Sequence, residues 1–123
     1  MSSEQPQDLR TRTSEFALRI IRLYVSLPKT TEAQVIGKQV LRSGTSIGAH
    51  YREGYRAKSD ADIVHKFETA LQELDETDYW LDLLVKANIV PAQRVEPLIR
   101  ETNELLAIFV TIVTKIKARM KKK

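Results

Sequence analysis

Residues 42–54 read RSGTSIGAHYREG and hold three of the chain's four glycines. Within them, Gly44-Thr45-Ser46-Ile47-Gly48 matches G-x-S-x-G, the nucleophile elbow of α/β-hydrolases. The same residues also fit the middle of a helix. The two readings give Ser46 opposite roles, so this stretch decides both fold and function.

An elbow needs a strand feeding a sharp turn, with a histidine and an acid arriving from other loops. No alternating apolar–polar run precedes Arg42, and the only histidines are His50 and His65. His50 lies one helical turn beyond Ser46, within approach of its hydroxyl but with no evident orienting acid. A helix organises the stretch better. Ile36, Val40, Gly44, Ile47, Tyr51 and Tyr55 form one row at spacings of three and four, and Gly37, Leu41, Gly44 and Gly48 form another that joins it at Tyr51. Glycines thus occupy apolar positions, at about 1 kcal/mol each relative to alanine. A packed stripe carrying that penalty is expected to have another helix, or an aromatic ring, directly on its backbone. Gly44, Ile47, Gly48 and Tyr51 are therefore expected helix-packing residues on an assembly surface, with no catalytic residue among them.

The flanking sequence extends the helical reading. Phe16, Ile20, Leu23 and Leu27 recur at helical spacing, with Ala17, Ile21 and Tyr24 alongside, and Pro28 marks a stop. Thr31 and Gln34 resemble a capping box opening the second helix, which runs to about Arg56. Ser59, with Asp60 and Asp62, opens a third. Its core row is Ile63, Phe67, Ala70, Leu74, Thr77, Leu81 and Leu84, and Asn88 is a plausible stop. Pro91 and Pro97 bracket the start of a fourth helix, where a short first turn and a kink are expected. Beyond them Leu98, Leu105, Phe109, Ile112, Ile116 and Met120 share one side. The expected fold is all-α, an antiparallel up-down four-helix bundle over residues 8–118. A polar tail over 1–7 and a basic tail over 119–123 flank it. Several helices are apolar over more than one row, and residues 105–113 (LLAIFVTIV) nearly all round, which predicts a homo-oligomer.

Composition excludes several classes. The 123 residues contain no cysteine, so neither a disulfide nor a thiolate metal site can form. No apolar run reaches the roughly 18 residues of a membrane span, and MSSEQPQDLR lacks the apolar stretch of a signal peptide. A cytoplasmic protein without membrane contact is expected. Asp62-x-x-His65 has no second pair to complete a bundle metal site, and Gly44 and Gly48 are not followed by Lys-Ser or Lys-Thr. No cofactor and no metal are expected.

The net charge is +4, but its distribution is uneven. Residues 59–88 carry eight acids and two bases, whereas 89–123 carry eight bases and three acids. Such segregation suits helix surfaces that complement each other in packing or assembly, or a basic surface for phosphates. Candidate nucleic-acid contacts are Arg52, Arg56 and Lys58, interleaved with Tyr51 and Tyr55, and the terminal run Lys115, Lys117, Arg119, Lys121, Lys122 and Lys123. Asp78 sits beside the core row of helix 3 with Glu73 and Glu76 nearby, and a carboxylate there needs a partner. Arg42 and Arg52 are the obvious ones, predicting a salt-bridge network between helices 2 and 3.

Several blocks resemble the 23S rRNA intervening-sequence proteins, also called S23-like. They are Leu27-Pro28-Lys29, the run from Leu41 to Ala49, Glu53-Gly54, Phe67 to Leu71, and Glu76-Thr77-Asp78-Tyr79-Trp80-Leu81. The likeness spans about residues 12–118 and is most specific in helix 2; His50 stands where Asn is common. The resemblance implies a small bacterial four-helix bundle assembled as a ring of five. Relatives act as accessory proteins of diversity-generating retroelements, in which a basic pentameric barrel engages reverse transcriptase and nucleic acid. For the main family the biochemical role is unresolved; together with the basic surface residues, the expected function is a non-enzymatic scaffold whose partners are itself and RNA or a nucleic-acid-associated protein. A purely protein-binding assembly module is the alternative.

Overall fold

A computed structural model describes residues 6–122, which form four helices and no strand. These are α1 (Pro6–Ser26), α2 (Thr31–Tyr55), α3 (Asp60–Lys86) and α4 (Ala92–Lys121). The polar tail expected over 1–7 therefore ends at least two residues earlier, because α1 opens at Pro6. Residues 1–5 lie outside the described residues. The expected basic tail is mostly helix, since α4 continues through Lys121.

Local chemistry sets the ends. Thr30, one residue before the predicted cap, is the N-cap of α2, its Oγ1 accepting from the Ala33 amide at 3.4 Å. Gln34 is spent elsewhere: it donates to the Pro28 carbonyl at 2.9 Å and accepts the Tyr24 hydroxyl at 3.1 Å. Ser59 caps α3 by accepting from the Asp62 amide at 3.1 Å. At the other end of α3, Asn88 adopts φ 60°, while Asn88 N donates to Val85 O and Ile89 N to Leu84 O. That is a Schellman motif with asparagine in the left-handed position. Pro97 sits inside α4, which passes through it as one helix of 30 residues. Its missing amide removes one hydrogen bond near the start of a long, well-packed element.

Residue pairs from end to end show each helix antiparallel to its neighbours in sequence. Ile20 lies on Gly44 and Leu27 on Gly37; Ser43 meets Thr77 and Gly54 meets Phe67; Asp60 pairs with Arg119. The core is formed by Phe16, Ile20, Val40, Ile47, Leu74, Leu81, Leu84, Leu105 and Phe109, all essentially without solvent contact. The helices pack unequally. α2 packs extensively on α1 and on α3, and α3 on α4, whereas α1 and α4 meet only sparsely.

Glycines make the close seams. A Cβ added at Gly44 would lie 2.8 Å from Ile20 Cγ1, and one at Gly54 would lie 2.6 Å from Phe67 Cδ1. On the glycine row itself both kinds of expected occupant occur, helix α1 at Gly44 and the Tyr24 ring, 3.0 Å from a Cβ added at Gly37. They belong to the same chain: the glycine row is a packing surface within one bundle. No helix among the described residues is long and apolar enough to cross a membrane.

Candidate nucleic-acid interface

Ser46 lies in mid-helix, where its hydroxyl donates to the Arg42 carbonyl at 2.6 Å. His50 turns to the next turn instead, with Nδ1 3.9 Å from Glu53 Oε1 and no hydrogen-bond partner. Glu53 is itself held by Lys66 at 3.0 Å, and that bond lowers its pKa. The G-x-S-x-G stretch thus lacks the strand and turn of an elbow. No group of three His, Asp or Glu among the described residues could hold a metal ion.

The antiparallel topology brings the two basic segments of the sequence to one end of the bundle. There the end of α2, the 56–59 connection and the end of α4 converge, because Arg119 makes a two-pronged bond to Asp60 at 2.6 and 3.1 Å. An aromatic stack underlies this end. The Tyr51 ring is 5.7 Å from Phe67 and 6.0 Å from Tyr55, and edge-on to Phe109 at 6.0 Å. Tyr51 is only 3% exposed, which withholds its ring from base stacking and pushes its hydroxyl up to about 12, while Tyr55 is exposed.

The nine basic candidates divide on this frame. Arg56, Lys58, Lys121 and Lys122 are exposed. Lys117 is bound to Glu68 at 2.7 Å, and Arg119 to Asp60, whose hydrogen bond raises the guanidinium pKa. Lys115 is also engaged, and Lys123 lies outside the described residues. Arg52 points along the α1 side of α2 and donates to Ser14 Oγ at 3.1 Å.

The predicted network between helices 2 and 3 has different members. Arg42 binds Glu76 and lies 3.2 Å from Glu73, a carboxylate only 11% exposed. Arg52 is absent because it stands one turn beyond Gly48, facing α1. Asp78 is absent because it falls on another face of α3 from Glu73 and Glu76. Its pKa is raised by burial, then by Asp82 and Asp75. Residues 43 and 77 complete this seam, their hydroxyls meeting at 2.8 Å in the core.

The sequence did not single out the seam between α1 and α4. Arg12 clamps Glu101 at 2.6 and 3.0 Å and reaches Glu104 at 3.1 Å. Farther along, Arg19, Arg22, Leu23, Arg94, Pro97 and Leu98 line a cleft of about 240 Å³. Only the register of two helices some ninety residues apart in sequence brings these groups together, and no local motif carries that information.

The model of the 23S rRNA-intervening sequence protein family matches residues 7–111, most of the chain. The protein belongs to this family. Among solved structures, a protein of unknown function from the S23 ribosomal protein family of Bacteroides thetaiotaomicron is 37% identical. It superposes with a TM-score of 0.83 over 89% of this chain and 97% of its own. No functionally curated protein matches. The family match runs from the start of α1 into α4, so it takes in the seams between α1, α2 and α3 described above.

Proposed function

We propose that this intervening-sequence protein is a non-enzymatic, homo-oligomeric scaffold, a ring of five subunits, that engages RNA or a nucleic-acid-associated protein such as a reverse transcriptase. The observation that carries the assembly is the outer face of α1. Phe16, Ile20, Leu23 and Leu27 fill the core, yet Leu18, Ile21 and Val25 form a second apolar stripe on the other side of the same helix, 49%, 40% and 68% exposed. An apolar stripe three side chains long, facing away from the core, is what an assembly contact leaves when its partner is removed. Val35 and Tyr79 add further exposed apolar surface on α2 and α3. The basic end, with Arg56, Lys58, Lys121 and Lys122 around Tyr55, is the surface offered to phosphates. The helical setting of Ser46 supports a role without catalysis, and Ser46→Ala is expected to leave any function intact.

Light scattering tests the assembly: a ring of five 14.1 kDa subunits weighs about 70 kDa, and a mass of one subunit overturns it. Gel shifts with structured and single-stranded RNA over a salt series test the second half, with binding that weakens as salt rises. The neutralisation of Lys117 and Arg119 by α3 carboxylates favours the alternative, an assembly module that binds protein alone. An absence of RNA binding at low salt selects it.

A further inference from the structure

We infer that the cleft between α1 and α4 is a phosphate subsite for a single RNA strand. This rests on the nucleic-acid half of the reading above and places a contact well away from the basic end. Arg19 and Arg22 enter from α1 and Arg94 from α4, above a floor of Leu23, Pro97 and Leu98. The acids that could neutralise them are occupied or few. Glu101 and Glu104 are both taken by Arg12, and neither Arg19 nor Arg22 has an acidic ion-pair partner among the described residues. Glu15 lies alongside, in an adjoining hollow with Leu18, Arg19 and Arg22. Like charges brought to one cleft repel, and an anion between them removes that repulsion.

The geometry favours a phosphate over a carboxylate. Guanidinium groups come from both walls, and a tetrahedral phosphodiester presents oxygens in both directions, where a planar carboxylate presents one edge. Arg94 is already positioned: it donates to Ser26 Oγ, which in turn donates to the Leu23 carbonyl at 2.7 Å. The apolar floor suits the ribose or base attached to the phosphate. At about 240 Å³ the cleft is smaller than the roughly 300–1,000 Å³ of sites for whole drug-sized ligands, so it holds one unit of a longer strand.

The test uses the full chain, fluorescein-labelled oligouridine and the triple variant Arg19→Gln/Arg22→Gln/Arg94→Gln. Circular dichroism melting verifies its fold. Expected are at least about tenfold weaker binding and a salt slope lower by about 0.7, the value for one phosphate of a single strand. Oligouridine should also shield these three arginines from phenylglyoxal, read by peptide mass spectrometry. Unchanged RNA affinity and slope in the triple variant would overturn the cleft while leaving RNA binding at the basic end intact. Two other results overturn the RNA strand as occupant: shielding by inorganic pyrophosphate but not by oligouridine, which marks a free-anion site; or no RNA binding together with a changed oligomer mass in the triple variant, which assigns the cleft to acidic groups of a second copy.

Discussion

α1 meets its two neighbours in opposite ways. Against α2 it lays Thr13, Ile20 and Leu27 onto Gly48, Gly44 and Gly37, so that side chains of one helix rest on the backbone of the other. Against α4 it makes few close approaches and is held by charge, through Arg12 to Glu101 and Glu104, with an arginine-lined cleft beyond. The glycine seam fixes register because only one alignment matches small residues to large. The charged seam tolerates a gap because long side chains bridge it. Stability is thus concentrated on one side of α1 and room for a ligand on the other.

The largest expected effect breaks the tight seam. Gly44→Val sets a branched side chain against Ile20, which is fully buried and has nowhere to move. Overpacking of this kind is expected to lower stability by about 3 kcal/mol, read as the urea midpoint at unchanged slope. Arg22→Ala on the open seam should stay within about 0.5 kcal/mol of the parent. Equal effects at the two positions would abolish the distinction.

Arg12→Ala comes next and asks whether charge alone closes the α1–α4 seam. It leaves Glu101, only 18% exposed, without its two-pronged partner, at about 1.5 kcal/mol. Hydrogen exchange should rise in α1 and the first half of α4 while the centre of α2 stays protected. Uniform exchange across all four helices would show that the ion pair does not hold this seam.

This contrast also explains what the sequence disclosed. Helix number, the Ser59 cap and the packed glycines were legible because each is written in spacings of three or four residues. The occupants of Gly44 and Gly37 were legible as kinds, a helix and a ring, but not as Ile20 and Tyr24, which depend on register. The α2 cap was misplaced by one residue because Thr30 and Thr31 are chemically equal, and Gln34 finds Pro28 and Tyr24 instead. Arg12–Glu101 and the cleft were invisible because their partners are far apart in sequence. Proximity along α3 suggests one set of partners for Glu73, Glu76 and Asp78, but the helical rotation that aims Glu73 and Glu76 at Arg42 aims Asp78 elsewhere.

The connection between α3 and α4 belongs to neither seam and serves as a backbone control. Asn88→Ala forces a β-carbon-bearing residue without asparagine's local hydrogen bonding into φ 60°, at about 1 kcal/mol. Asn88→Gly should be close to neutral, the freedom of glycine in that region offsetting its greater chain entropy. Thermal midpoints of the pair report the left-handed position alone, provided both retain the parent's exchange pattern along α1.

The smallest effect concerns the acidic stripe of α3. Burial, Asp82 and Asp75 all raise the Asp78 pKa in the folded chain above its unfolded value. A carboxyl with a raised folded pKa binds protons more tightly when folded, so its ionised form opposes folding at neutral pH. That opposition disappears as pH falls through the folded pKa. Asp78→Asn should therefore be more stable than the parent at pH 7, by no more than about 0.5 kcal/mol for a half-exposed site. The difference should close in acid, because the parent's carboxyl is then neutral as well. Urea midpoints for both proteins at pH 7 and below the carboxylate range decide the sign. A variant less stable than the parent at pH 7 would mean that Asp78 gains a favourable partner, and the acidic stripe would then be complementary to something across α3 instead of self-repelling.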